Sequence, residues 1–184
     1  MALKRDKYDI VFSQLVRERT DYECDYCGRH FRHEPSKLHC SHFKSRRHKA
    51  TRYHPLNAFS HCAGCHRKLS EDPHEFNAHA VITYSEMTID SVARLAGTAV
   101  KLKPWQMDEL YQHMKGELKR LQELRSEGVT GRIEFTLPDW YQHGITYQMG
   151  DLWLSMHGLP RWLGGYFLLY GFLITTLSIG ETQE

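Results

Sequence analysis

The chain has 184 residues, 41% hydrophobic and 25% charged, a composition that supports a folded core and excludes intrinsic disorder as the default. Its formal net charge is only +2, yet residues 28–70 carry ten lysines and arginines against one acid, Glu34, while residues 71–184 carry nine against fifteen. A basic block on a nearly neutral chain indicates a polyanionic partner, with a solvated loop as the simpler alternative.

The first predicted element is an amphipathic helix over residues 4–19. Its apolar residues recur at three- and four-residue steps with charges between them, and they are Tyr8, Val11, Phe12, Leu15 and Val16. We expect this N-terminal helix, residues 1–20, to serve mainly in packing. Residues 1–7 do not resemble a secretory signal, which favours a reducing compartment, and the predicted location is the cytoplasm.

Two pairs of cysteines follow the helix. Cys24 and Cys27 flank a two-residue turn that continues into Gly28, and Cys62 and Cys65 repeat the same spacing after 34 intervening residues. Four thiolates spaced in this way can complete one tetrahedral zinc shell, so a structural zinc is predicted. Redox-active cysteines are the competing interpretation, but no βαβ unit surrounds either pair. A zinc ribbon without any chemistry remains an alternative.

The residues between the cysteine pairs predict a short strand near 38–43, a basic loop over 44–52, a second strand, and a helix after the second pair. The fold class is therefore α+β: a small zinc-bound core over residues 21–84, with an N-terminal helix before it and helices after it. The fifth cysteine, Cys40, is expected to be a small buried residue and not another zinc ligand.

Three motifs in this region resemble the phage NinG (Rap) recombination nuclease family of HNH-like endonucleases. They are Ser41-His-Phe-Lys-Ser-Arg-Arg, Thr51-Arg-Tyr-His-Pro-x-Asn57 and Cys62-x-x-Cys65, and the similarity covers about residues 20–125. The resemblance implies a treble-clef, ββα-metal core that hydrolyses phosphodiester bonds during phage DNA recombination. It also implies branched or structured DNA as substrate and the host cytoplasm as the location if a phage encodes the chain.

Catalytic roles follow from the same resemblance. His42 is expected to be the general base that takes a proton from the attacking water, and Asn57 to orient the His42 ring or its loop. His66 is expected to bind a catalytic Mg²⁺ or Mn²⁺. Ser41 departs from the family pattern, since a carboxylate or histidine often holds the metal there. His39, on the same face of an extended strand as Ser41, is the candidate substitute.

The loop after His42 is the predicted DNA-binding surface. Its basic residues are expected to grip phosphates through backbone and shape recognition, and the candidates are Lys44, Arg46, Arg47 and Arg52. The other histidines of the basic block, His30, His33, His48 and His54, are expected to face solvent or phosphate.

Helices are predicted to follow the zinc core. Asp72 and Pro73 have the residue types of a helix start, and residues 74–84 should form the helix that they begin. A helical extension over residues 85–130 should contain a short helix near 89–100 and a long one from Pro104 to about Gly128. The apolar stripe of the long helix is expected to be core or the seam of a homodimer. Residues 132–137 alternate polar and apolar residues, which predicts a strand.

The C-terminal tail, residues 131–184, has no certain assignment. Residues 162–179 form an uncharged run of 18 residues, the threshold length for a membrane span. Glycines and polar residues within it and weak basic flanks make a span the less favoured interpretation. A buried hairpin or helix, a partner-binding segment and residues outside the native domain are the alternatives.

Three functions are therefore in competition. The first is a metal-dependent DNA endonuclease of the HNH type. The second is a non-catalytic, zinc-stabilised DNA-binding module in which His42 and His66 are structural, and the third is a membrane-associated zinc protein. Loss of metal-dependent plasmid nicking in His42→Ala would separate the first from the second.

Overall fold

The computed structural model describes residues 4–142, and the fold within this range is α+β. The helices are α1 (Lys7–Arg19), α2 (Ala63–Glu71), α3 (Pro73–Tyr84), α4 (Glu86–Ala96), α5 (Pro104–Ser126) and α6 (Asp139–Gln142), and the strands are β1 (Leu38–His42) and β2 (Ala58–Cys62). The described chain up to Pro138 forms one compact unit, and α6 belongs to a second unit.

Helix α1 begins at a reciprocal capping box. The Asp6 carboxylate accepts from the Asp9 backbone N–H at 2.9 Å, and the Asp9 carboxylate accepts from the Asp6 N–H at 3.2 Å. Two of the four amide groups that a helix start leaves unpaired are thereby satisfied. The predicted apolar face is buried at Val11, Phe12, Leu15 and Val16, and α1 packs against both α5 and the hairpin.

The two strands form an antiparallel hairpin with a defined register. Leu38 pairs with Cys62 at one end, and His42 pairs with Ala58 at the other. All five residues of β2 are buried, whereas in β1 only Leu38 and Ser41 are buried. The basic loop connects the strands, and a short 3₁₀ helix, Pro55–Asn57, precedes β2. The predicted order of strand, loop, strand and helix is confirmed.

Helices α2, α3 and α4 follow the hairpin directly. The Asp72 carboxylate accepts from the His74 and Glu75 backbone N–H groups, both at 3.0 Å, and Pro73 occupies the first helical position. The predicted start of this helix is confirmed. A core joins these helices to β2, and its buried members are Phe59, Leu69, Phe76, Ala80 and Ile89.

The long helix α5 places part of its predicted stripe in the core. Leu110, Met114 and Leu121 are completely buried, whereas Trp105, which the stripe also included, is 59% exposed. Trp105 lies in the first turn, where the helix projects its side chain into solvent. Because α5 packs along α1, its apolar face belongs to the core of this unit.

The predicted strand at 132–137 is wrong, since this segment forms no strand. Its backbone N–H groups bond to the end of α1 and to a side chain: Ile133 donates to the Arg19 carbonyl, and Thr136 donates to the Glu117 carboxylate, both at 2.9 Å. Phe135 and Leu137 are nevertheless buried, as the alternation indicated. The alternation therefore predicts which residues are buried, but it does not show whether another strand is available to pair with the segment.

Among residues 4–142, none of the helices combines the length and the apolar character that a membrane crossing requires. The apolar run at 162–179 lies outside the described residues.

Candidate metal centre and histidine cleft

The four cysteines of the two pairs converge at one point. The Sγ atoms of Cys24, Cys27, Cys62 and Cys65 all lie within 4.8 Å of one another. Tetrahedral zinc with Zn–S bonds of about 2.3 Å needs sulphur atoms roughly 3.8 Å apart, so small side-chain adjustments complete the shell. The cluster is consistent with a structural zinc site.

Local structure explains this convergence. Gly28 has φ +68°, a left-handed conformation that lets the first turn fold back, and its N–H donates to the Cys24 carbonyl at 2.9 Å. Cys62 ends β2 and caps α2, which places Cys65 one turn further along. The Arg29 guanidinium donates to the Cys62 sulphur at 3.8 Å, a contact that favours the thiolate.

Cys40 stands apart from the metal cluster. It lines a separate cleft, and burial raises the pKa of its thiol to about 12. A thiol with this pKa keeps its proton at neutral pH, whereas a zinc ligand must lose it. This agrees with the expectation that Cys40 is not a fifth ligand.

A cleft of about 530 Å³ opens between α1 and the hairpin. It brings together His39, His42 and His66, which the sequence had assigned to water activation and metal binding. The hairpin contributes the first two, and the first turn of α2 contributes the third. Ser41, the position that departs from the family pattern, is 1% exposed and buried.

His42 is held in one orientation by a backbone carbonyl. Its Nε2 lies 2.9 Å from the Arg52 carbonyl oxygen. Because a carbonyl oxygen can only accept, Nε2 carries the proton, and Nδ1 of the neutral ring is the basic nitrogen. Burial lowers the pKa of His42, with the Arg52 carbonyl acting in the opposite direction. The ring is therefore neutral and able to accept a proton at pH 7.

The Arg52 side chain is engaged in an ion-pair network with the start of α1. Its guanidinium donates to Asp9 at 2.7 and 3.0 Å and to Asp6 at 3.0 Å. Burial opposes ionisation of Asp9, but its hydrogen bond with Arg52 leaves the pKa of that carboxyl lowered. The sequence placed Arg52 among the phosphate-binding residues, and the structure instead ties it to the capping box of α1. Its carbonyl is thereby fixed against His42.

Asn57 secures the loop after His42 from within. It is fully buried; its Nδ2 donates to the carbonyls of Lys44 and Thr51, both at 2.9 Å, and its Oδ1 accepts from the Lys44 N–H at 2.7 Å. Both of its amide donors are occupied by the loop, so its contacts are those of a positioning residue. Asn57 was expected to orient the His42 ring or its loop, and its side-chain hydrogen bonds go to the loop.

His39 and His66 form an imidazole pair at the mouth of the cleft, with ring centroids 5.2 Å apart. Burial, and then the charge of His39, lowers the pKa of His66, which favours the neutral ring that a metal needs. Within residues 4–142, the cysteine cluster is the only set of three or more potential ligands close enough to share one ion. The pair could thus supply two ligands to a divalent ion.

The remaining predicted DNA contacts lie along the loop. Arg46 lines the cleft and donates to the Asp9 carboxylate at 3.3 Å. Lys44 places its ammonium 4.5 Å from the centre of the Phe43 ring, and Arg47 is exposed. His54 departs from the prediction for the basic block, because it is buried and accepts from the Leu56 N–H at 3.3 Å.

Two features of the structure were missed by sequence reasoning. Arg17 of α1 and Arg5, which lies just before that helix, line the cleft, although the N-terminal helix had been assigned to packing. The sequence could have indicated this, because polar residues recur at four-residue steps from Arg5 to Arg17 and such spacing places them on one face of a helix. His61 is the other: it is fully buried, and its Nε2 lies 3.2 Å from Nε2 of His79.

No protein-family model, curated protein or solved structure matches this chain.

Proposed function

We propose that this protein is a divalent-metal-dependent DNA endonuclease in which His42 is the general base. The observation that carries the proposal is the contact between His42 Nε2 and the Arg52 carbonyl, at 2.9 Å, inside a cleft lined by arginines. The hydrogen bond orients the ring and leaves one ring nitrogen without a proton. Here Nδ1 is the basic nitrogen, and the lowered pKa keeps it unprotonated at neutral pH.

The chemical step uses residues of one cleft. Nδ1 of His42 accepts a proton from water, and the water oxygen bonds to phosphorus. The bond from phosphorus to the leaving oxygen breaks, and the leaving oxygen keeps the electron pair and takes up a proton from solvent. Asn57 holds the loop that carries the Arg52 carbonyl, and Asp9 holds the Arg52 side chain. These two contacts hold the Arg52 carbonyl, and thereby the His42 ring, in place. A general base positioned in this way increases the reaction rate by roughly 10² to 10⁴.

His66 and His39 are the residues that would hold the catalytic ion. When bound, a divalent ion supplies positive charge to the phosphate oxygens as negative charge develops on them. Two imidazoles leave the remaining positions to water and phosphate oxygens. Imidazole ligands favour transition metals over Mg²⁺, so Mn²⁺ is the better candidate of the two ions expected from the sequence.

Zinc in the cysteine cluster would have a structural role. It would join the turn that carries Cys24 and Cys27 to the end of β2 and the start of α2, in a treble-clef, ββα-metal arrangement, which is the finer fold that we propose. The resemblance to phage recombination nucleases further suggests branched or structured DNA as substrate. Backbone recognition fits this choice, because the candidate contacts are arginines and lysines that bind phosphates irrespective of base.

Plasmid nicking by zinc-loaded protein tests the proposal. Wild type should nick supercoiled DNA only when Mn²⁺ or Mg²⁺ is added, and His42→Ala should lose nicking while keeping its zinc, its fold and its affinity for DNA. A suitable control is His74→Ala, which removes an exposed histidine on α3. Equal nicking by wild type and His42→Ala would overturn the assignment of the base.

A non-catalytic, zinc-stabilised DNA-binding module is the second candidate. It is favoured by the cysteine cluster being the only set of three or more ligands within the described part of the chain. On this alternative, wild type binds DNA with a steep salt dependence and nicks none of it with any divalent ion. The same nicking assay therefore separates the two functions.

A further inference from the structure

The cleft has a second wall that the proposed chemistry does not use. Arg5, Asp9, Ser13 and Arg17 line it from α1 and the residues just before that helix. They are spaced at four-residue intervals, so within α1 they lie along one face of the helix. The apolar residues Val11, Leu15 and Val16 are buried, whereas the apolar Phe12 also lines the cleft. Lys7, Ile10 and Gln14 are exposed to solvent, so α1 has a buried, a cleft-lining and an exposed surface.

The charges along this wall are predominantly positive. Its single carboxylate, Asp9, is already bound by Arg52 at 2.7 Å and by Arg46 at 3.3 Å. Within residues 4–142, Arg5 makes no ion pair and no side-chain hydrogen bond. Arg17 uses one nitrogen, Nη1, for the Ser13 hydroxyl at 3.0 Å and the Leu38 carbonyl at 3.3 Å. Its Nε and Nη2 donors are left for a ligand.

Arg5 and Arg17 line the same cleft. Arg5 and Arg17 are twelve positions apart in the chain, yet burial lowers the pKa of Arg17 with the charge of Arg5 acting in the same direction. The positive charges of both arginines also oppose the increase in the pKa of the Cys40 thiol that burial causes, and Cys40 lines the same cleft. Two guanidinium groups that line one cleft favour an anion as its ligand.

We infer that Arg5 and Arg17 form a phosphate clamp that holds the DNA backbone against the histidines of β1. This inference rests on the proposed function for the identity of its ligand, a phosphodiester. The Ser13 hydroxyl and the Leu38 carbonyl orient the Arg17 guanidinium, and Arg5 closes over the anion from the end of α1. Guanidinium groups suit this task because their planar donors match two phosphate oxygens at once.

The experiment measures binding and cleavage separately. Binding of a fluorescein-labelled 20-base-pair DNA duplex is followed by anisotropy over a salt series, without added Mn²⁺ and with zinc retained. Arg5→Gln and Arg17→Gln should each lower the slope of log K against log salt by about 0.9, and the double variant by about 1.8. The control is Arg94→Gln on α4, an exposed arginine whose hydrogen bond is to Ser91 of the same helix; its slope should equal that of wild type.

The outcomes separate the clamp from the nuclease. A lower slope in the variants, with wild type unable to nick DNA, would keep the clamp and remove the proposed chemistry. Nicking by wild type together with unchanged slopes in Arg5→Gln and in the double variant would overturn the clamp alone. Arg5→Gln is the decisive variant, because Arg17 also supports the Leu38 carbonyl and its loss can weaken the fold. Zinc content and thermal unfolding report on that second effect.

Discussion

The Nε2 proton of His42 is donated to the Arg52 carbonyl oxygen over 2.9 Å, which leaves Nδ1 as the basic ring nitrogen, the general base that we propose. His42→Ala should therefore lose roughly 10² to 10⁴ in cleavage rate, the usual value of a positioned general base. Single-turnover cleavage of a labelled duplex measures the loss. DNA affinity and zinc content should remain at wild-type values, since neither the clamp nor the cysteine cluster includes this ring.

The pH dependence of cleavage follows from the same ring. Because burial lowers the pKa of His42, the neutral form persists below the ordinary imidazole value of about 6.5. Activity should be constant from pH 8 to about 6.5 and fall only as the pH passes below the lowered pKa. A rate profile with saturating Mn²⁺ at each pH measures the midpoint. A midpoint above 6.5 would contradict a buried, neutral base.

Arg52 and Arg47 should behave differently, although the sequence gives both the same role. Arg52→Gln breaks the network with Asp6 and Asp9, so cleavage and thermal stability should fall while the salt slope of DNA binding stays constant. Losing a partly buried charged hydrogen-bond network costs about 1 to 3 kcal/mol. Arg47→Gln, in the exposed part of the loop, should instead lower the salt slope and leave stability unchanged. The reverse pattern would restore Arg52 as a phosphate contact.

Metal dependence should respond to His66 and His39. His66→Ala should raise the Mn²⁺ concentration needed for half-maximal cleavage, with activity partly recovered at high Mn²⁺, because the remaining ligands still hold the ion weakly. His39→Ala should shift the same midpoint if the two rings, 5.2 Å apart, share one ion. Titration of Mn²⁺ into each variant measures the shift. An unchanged midpoint in both variants would place the ion elsewhere.

The zinc prediction has an internal control in the fifth cysteine. Cys62→Ser should lose zinc and unfold residues 20–70, since a hairpin of two five-residue strands has little core of its own. Cys40→Ala should keep one zinc per chain, because Cys40 lies outside the cluster. Metal analysis and thermal unfolding of both proteins are the measurements. Zinc-free wild type, or Cys62→Ser that unfolds at the wild-type temperature, would reject the site.

His54 should make the fold sensitive to acid. Burial lowers its pKa to about 4, so the unfolded chain, with a value of about 6.5, binds the proton more readily. The stability that depends on neutral His54 is complete above pH 6.5 and is lost as the pH falls toward 4, by at most about 1.4 kcal/mol per pH unit. His54→Asn keeps an acceptor for the Leu56 N–H and should flatten this slope in denaturant titrations. Parallel slopes in the two proteins would exclude His54.

The sequence predicts best those features that depend on neighbouring residues. Asp72 caps α3 because its carboxylate reaches the amides of the next two residues, and Gly28 turns the chain because it lacks a side chain. The cysteine cluster is also predictable, since metal chemistry restricts the spacing within each pair. These are local or chemically determined relationships.

Relationships between distant elements were not predictable to the same degree. The basic loop was predicted to be the DNA-binding surface. Arg52 of this loop instead donates to Asp9 and Asp6, which lie 43 and 46 positions earlier in the chain, at the start of α1. Nothing in the local pattern distinguishes Arg52 from Arg47, because the difference lies in what packs beside the loop. The same limit applies to 132–137, where alternation predicts burial but not which strand edge is available.

The register of the hairpin connects the cysteine cluster to the position of His42. Cys62, a ligand of the predicted zinc, pairs with Leu38, and His42, four residues further along β1, pairs with Ala58. Successive side chains of a strand point to opposite faces, so a slip of one residue would turn His42 to the opposite face of β1. Bound metal would then help to fix the strand register at the proposed active site. It would hold the first of the five residue pairs of the hairpin, about 14 Å from His42, and the remaining pairs would extend that register to His42.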